Sequence, residues 1–156
     1  MSSLTLGKDS AKDKYEDFLK DYSEYKKNGD SIEKALIVAN SAWHLTEWVY
    51  NDNVKATYYQ NIGEFRESLY PKCPSLKIMH DITTASKHKT LKRPKANLHN
   101  TRRHKGNFSR DFSKDFDISY LEIELKSGEK LDFEDEIDKL KIFWDDFFKA
   151  NQNSNA

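Results

Sequence analysis

Asp81, Thr84 and His88 stand at i, i+3 and i+7, a spacing that sets a carboxylate, a hydroxyl and an imidazole along one side of a helix. Proton transfer uses these groups: an imidazole that takes or gives a proton near neutral pH, and a carboxylate that supports it. On an α-helix Asp81 and His88 are about 20° from eclipsed but roughly 10 Å apart along the axis, too far for a direct hydrogen bond. The pair therefore needs Thr84 as a bridge, or a group from another helix, with His44 the obvious supplier, or from a second subunit. Lys87 and Lys89 flank His88 and could hold an anion beside it, and their like charge lowers its pKa so that the neutral base dominates near pH 7. A base with a cation beside it suits attack of a ribose 2′-hydroxyl on the adjacent phosphate. The same residues also fit an ordinary amphipathic helix whose polar stripe faces water and whose lysines sit at the negative end of the dipole.

The helix that must carry these residues is predicted from Pro74 to about Thr90. Leu76, Met79, Ile82 and Ala85 give it an apolar face, Pro71 and Pro74 separate it from what precedes, and Pro94 forbids its continuation. Three helices come before it. Tyr15, Phe18, Leu19, Tyr22 and Tyr25 mark an amphipathic helix from Ser10 to Lys27, ended by Asn28-Gly29, and Asp30 with Glu33 reads as a capping box opening the next. The second helix, Ser31 to Tyr50, is apolar on nearly every side between Ala35 and Trp48 and is the spine of the core, with Trp43 and Trp48 expected inside it. Two readings of His44 stay open there, a satisfied core histidine or a site residue. After a turn at Asn51-Asp52-Asn53, Val54, Tyr58, Ile62, Phe65 and Leu69 give a third helical stripe. Four helices joined by short turns predict a mainly α protein built on an antiparallel four-helix bundle.

Residues 92 to 107 lack an apolar period and read as a mobile basic loop, followed by Phe108, Phe112 and Phe116 at four-residue intervals. Alternation from Ile118 to Leu125 predicts a strand, Ser127-Gly128-Glu129 a turn, and Leu131 to Phe133 a second strand of a β-hairpin. Ile137, Leu140, Trp144, Phe147 and Phe148 then line a final helix, and the Asn- and Ser-rich tail after Ala150 reads as disordered. The whole is expected to be one domain, with the bundle core at about 10–91 and the hairpin plus helix at about 116–149.

A net charge of zero hides segregation: nine Lys and Arg and no acid lie between Ile82 and Arg110, while the segment after it is strongly acidic. Such a block can neutralise phosphates, in which case Lys87, Lys89, Lys92, Arg93, Arg102, Arg103 and Lys105 are nucleic-acid contacts, or it can neutralise the acidic segment. The single cysteine, Cys73, excludes an internal disulfide and fits a reducing compartment, with cytoplasm the expectation. No apolar stretch approaches the ~20 residues that cross a bilayer, so no membrane partner is expected. His80 and His88 are not at i, i+4, and His44 with Glu47 is a lone His-x-x-Glu pair, so neither a metal nor another cofactor is expected. There is no phosphate-cradling glycine loop and no Gly-x-Ser-x-Gly nucleophile turn.

The order of Trp43-His44 and Trp48 on an apolar helix, then Cys73-Pro74 and Leu76, then Asp81-Ile82 and Lys87-His88, resembles a group of uncharacterised bacterial and phage proteins. Through them it is distantly similar to the HEPN superfamily, over roughly Ser31 to Leu91. That resemblance implies a four- to five-helix bundle acting as a dimeric, metal-independent endoribonuclease of a defence or toxin type, or as an inactive binding module. It implies RNA, a second copy of the chain, or a protein partner such as an antitoxin as binding partners. His88 would then be general base or acid, Asp81 its polar partner, and Lys87 and Lys89 the phosphate contacts. The HEPN signature is an Arg, a polar residue beside it and a His after four to six intervening residues; this chain carries His80-Asp81 and then His88, with no Arg on that helix. Arg93 and His99 have the required separation, but Pro94 lies between them and the stretch lacks helical periodicity.

Overall fold

The computed structural model describes residues 7–54, 58–88, 95–96, 98–104 and 120–154. Five helices and one small antiparallel sheet make up a mainly helical fold: α1 (Ala11–Lys27), α2 (Ile32–Val49), α3 (Ile62–Leu69), α4 (Ser75–His88), β1 (Leu98–His104), β2 (Tyr120–Leu125), β3 (Lys130–Asp132) and α5 (Phe133–Ser154). Among the described residues no helix is long and apolar enough to cross a membrane.

Local chemistry explains where the helices begin. Ser10 caps α1, accepting from the Asp13 N–H while the Asp13 carboxylate accepts from the Ser10 N–H, and Asp52 accepts from the Ala11 N–H. Ser31, rather than the expected Asp30, caps α2. The α2 backbone relaxes into a π-helical turn at Tyr50–Val54, so the expected third helix is shorter and starts only at Ile62, capped by Asn61.

As its apolar circumference predicts, α2 is the spine. It packs most extensively on α1 and α4 and also touches α5, which in turn meets α1 and α4. The helices in mutual contact are therefore α1, α2, α4 and α5, while the short α3 contributes chiefly Phe65 and Leu69 to the core. Trp144 of α5 is fully buried and its indole N–H donates to the Ala42 carbonyl of α2 at 3.1 Å. A polar seam ties α5 to α1: Tyr22 donates to Asp138 at 2.6 Å, Tyr15 to Asp145, and Lys26 pairs with Glu134.

Three expectations fail in the second half. The sheet has three strands in the order β1-β2-β3, because residues 98–104, expected within a basic loop, form an antiparallel pair with β2. The register sets Arg102 opposite Glu122 and Asn100 opposite Glu124, so part of the basic block runs along an acidic strand. His99 lies on a strand, so its spacing from Arg93 is not a helical motif. Phe133 begins α5 as a core residue instead of ending a strand, and α5 continues to Ser154 through most of the tail read as disordered. The turn between β2 and β3 needs Gly128, whose φ of +90° is one that side chains rarely adopt. Lys89, Lys92, Arg93, Lys105, Phe108, Phe112 and Phe116 lie outside the described residues, as do the side chains of His88, Arg102 and Arg103.

Candidate functional site

Asp81 is fully buried on α4, turned away from the water-facing stripe expected of it. Its Oδ1 accepts from the Lys95 backbone N–H at 2.8 Å and its Oδ2 from the Ala96 N–H at 2.7 Å. Its third partner is the adjacent residue: His80 Nδ1 lies 2.7 Å from Asp81 Oδ1. Burial alone would raise the Asp81 pKa, but the His80 bond and the two backbone donors outweigh it and hold the carboxyl below 3.8. An ionised carboxylate only accepts, so Nδ1–H of His80 donates, and in the neutral ring the lone pair is then on Nε2. The Thr84 hydroxyl stands 3.5 Å from that Nε2, a long contact that leaves the lone pair open to another proton donor.

The structure thus rearranges the expected site. Asp81 supports His80, one residue before it, and not His88, and Thr84 approaches His80, one turn before it. The sequence reading passed over His80 because neighbours in sequence point about 100° apart on a helix. Here Asp81 faces inward and His80 sits at the edge, with 17% of its side chain exposed.

Two further residues that the sequence reading missed complete the wall. Trp43 of α2 is core, as expected, and presents its ring to the His80 imidazole edge-on at 4.9 Å. Arg66 of α3 lies over the same indole at 4.4 Å, and its Nε–H donates to the Thr46 hydroxyl at 2.9 Å. Thr46 in turn donates to the Trp43 carbonyl at 2.8 Å, so the guanidinium is held by packing and by a hydrogen-bonded chain. Burial pulls the Arg66 pKa below its ordinary value, though not out of the range in which a guanidinium stays charged. The Tyr70 hydroxyl is buried without a hydrogen-bond partner among the described residues. Burial pushes its pKa up to about 12, while Arg66 is near enough to pull it down and Asp81 to push it further up.

His44 is not the satisfied core histidine that one reading of the sequence allowed. It is exposed on α2 and lines the groove between α1 and α2. Partial desolvation lowers its pKa, Glu47 opposes this, and the positive charges of Arg66, Lys87 and Lys14 lower it further, so the neutral imidazole dominates at pH 7. Arg66 and Lys87 are thus near enough to His44 to act on it electrostatically. Lys87 is exposed and follows His80 by seven residues on α4. No group of three His, Cys, Asp or Glu side chains among the described residues could hold a metal ion.

The fold and site together define a mainly helical protein with an oriented aspartate–histidine pair beside an arginine-capped tryptophan. Comparison with protein-family models, with curated proteins and with solved structures finds no match to this chain.

A pH effect follows from Asp81. Its folded pKa lies below its unfolded value near 3.8, so the stability it contributes is fully present above the unfolded value and is lost as pH falls through the folded one. Asp81→Asn is expected to lower stability at pH 7 by about 1–3 kcal/mol, since the buried N–H donors would face an amide that accepts at only one end. It should also flatten the loss of melting temperature between about pH 5 and pH 2. Thermal unfolding across that range checks both, and a wild-type acid limb in the variant would contradict the assignment.

Proposed function

We propose that this chain is a HEPN-like, RNA-directed protein that cleaves RNA by metal-independent acid–base chemistry. In this reading α5 takes the place expected of the third helix, so that α1, α2, α4 and α5 form an antiparallel four-helix bundle, and the protein works in the cytoplasm in a defence or toxin role. The carrying observation is the His80–Asp81 pair, a largely buried imidazole whose Nδ1 is held 2.7 Å from the buried carboxylate. His80 takes the proton of a ribose 2′-hydroxyl, and Asp81 stabilises the imidazolium that forms. The 2′-oxygen attacks the adjacent phosphorus, the 5′-oxygen leaves, and a 2′,3′-cyclic phosphate results. Arg66 and Lys87 supply positive charge for the phosphate, and the protonated fraction of His44 or His88, the minor one at pH 7, gives a proton to the leaving oxygen.

The test is incubation of the purified protein with single-stranded RNA, with and without EDTA, followed by identification of the new 3′ ends. Cleavage leaving cyclic phosphate, unchanged by EDTA, is the expected result; intact RNA under all conditions would defeat the catalytic reading.

A second reading, a non-catalytic interaction or dimerisation module, is favoured by Ile32 and Ile37, about half exposed on α2. Ile32 borders a small apolar cavity of about 90 Å³ between α2 and β2.

A further inference from the structure

A cavity of about 500 Å³ opens between α1 and α2, lined among others by Lys14, Asp17, Lys20, Asn40, His44 and Trp48. Its size suits a small organic group and not a protein segment. Trp48 is only partly buried, unlike Trp43 and Trp144, so the sequence expectation of a core tryptophan holds for it only in part. The Lys14 ammonium lies 4.9 Å over that ring, marking a face that accepts a cation or a stacked π-system. Asp21 is engaged by the Ser41 hydroxyl, whereas Asp17 carries, among the described residues, a solvent-exposed ion pair with Lys8 at 3.2 Å, which a ligand displaces at little cost.

The mixture of charges narrows the ligand. A duplex backbone or a bare polyphosphate would set its anionic oxygens against Asp17 and Asp21. An unpaired ribonucleotide instead offers hydroxyl and base-edge donors to the carboxylates, a phosphate to the lysines and a flat face to the indole. His44 is one of the residues that line this groove. We infer that the α1–α2 groove binds one unpaired ribonucleotide of the RNA, with its base on Trp48, its ribose hydroxyls toward Asp17 and Asn40, and its phosphate near Lys14 and Lys20. This rests on the RNA reading above and adds to it a selection for single strands and for ribose.

The experiment uses the full chain carrying His80→Gln, so that RNA stays intact, and titrates it with six-residue oligoadenylate in ribose and deoxyribose forms. Tryptophan fluorescence reports binding, since Trp43 and Trp144 are buried and Trp48 is the accessible indole. The ribose oligomer is expected to bind at least about tenfold tighter than the deoxyribose one. Adding Trp48→Leu, which keeps apolar volume but removes the π-face, should weaken it about tenfold as followed by competition. Lys14→Gln with Lys20→Gln, on the surface side of α1, provides a second variant that does not touch the core and should weaken binding and flatten its salt dependence. Equal affinity for the two oligomers, or unchanged RNA affinity in either groove variant, overturns the inference. The two proposals fail separately. Wild-type protein that cleaves RNA while both groove variants, with His80 intact, keep its KM removes the groove and leaves the catalytic reading. Ribose-selective binding that depends on Trp48, with no cleavage by wild type, does the reverse.

Discussion

His80→Gln is expected to lower the rate of RNA cleavage by about 10²- to 10⁴-fold, the span that a positioned general base contributes. Glutamine can still donate an amide N–H toward Asp81, so the buried carboxylate keeps a partner and the melting temperature should move by only a few degrees. His88→Ala provides the contrast. If the proton is taken at His80, the His88 variant keeps most of its activity or loses only the part owed to leaving-group protonation. The sequence alone favoured the opposite ranking. Full activity in His80→Gln together with loss in His88→Ala would return the base to His88 and reduce His80–Asp81 to an anchor for residues 95 and 96. Circular dichroism on each variant separates lost chemistry from lost fold, and initial rates on one RNA substrate rank the two histidines.

Trp144→Ala should be the most destabilising single change in the chain, at about 3–5 kcal/mol. Its ring has no exposed surface, contacts Phe143, Phe147 and Phe148, and its N–H closes a bond from α5 to the spine helix. Against a typical total of about 5–15 kcal/mol, that loss leaves a substantial unfolded fraction at 37 °C. Trp48→Ala should cost distinctly less, because the side chain is only partly buried and the cavity left behind would open to water. Urea unfolding with an unchanged m-value gives the comparison directly. Equal midpoints for the two variants would contradict the burial difference between them.

The contrast between these tryptophans shows how much was legible in advance. Periodicity is a local property, so α1, α2, α4 and α5 could be read from the recurrence of Tyr15, Phe18 and Tyr22, of Leu76, Met79 and Ile82, and of Ile137, Leu140 and Trp144. Capping is equally local, although the eye passes over Ser10 with Asp13 more easily than over a Ser-x-x-Glu box. An all-round apolar helix, however, does not say which tryptophan faces inward. That depends on which neighbours close over it, and α2 is covered by α4 on the Trp43 side while the groove with α1 stays open beside Trp48.

The amino-acid sequence by itself determined a mainly helical chain with a buried second helix, and it singled out the fourth helix as the candidate place for a site. Only tertiary structure decided which residues of that helix act together. Asp81 turns inward because backbone N–H groups fourteen and fifteen positions later need an acceptor, and once it is there its side-chain partner among the described residues is His80. Arg66 and Trp43 join the site from two other helices, over a sequence gap that no helical period spans. β1 was hidden for the same reason. Its residues lack the alternation of a half-buried strand, and it forms because β2 offers it an edge with acids opposite Arg102 and Asn100. Strand pairing and buried hydrogen bonds are long-range satisfactions of polar groups, and a one-dimensional pattern records them only where both partners happen to lie close along the chain.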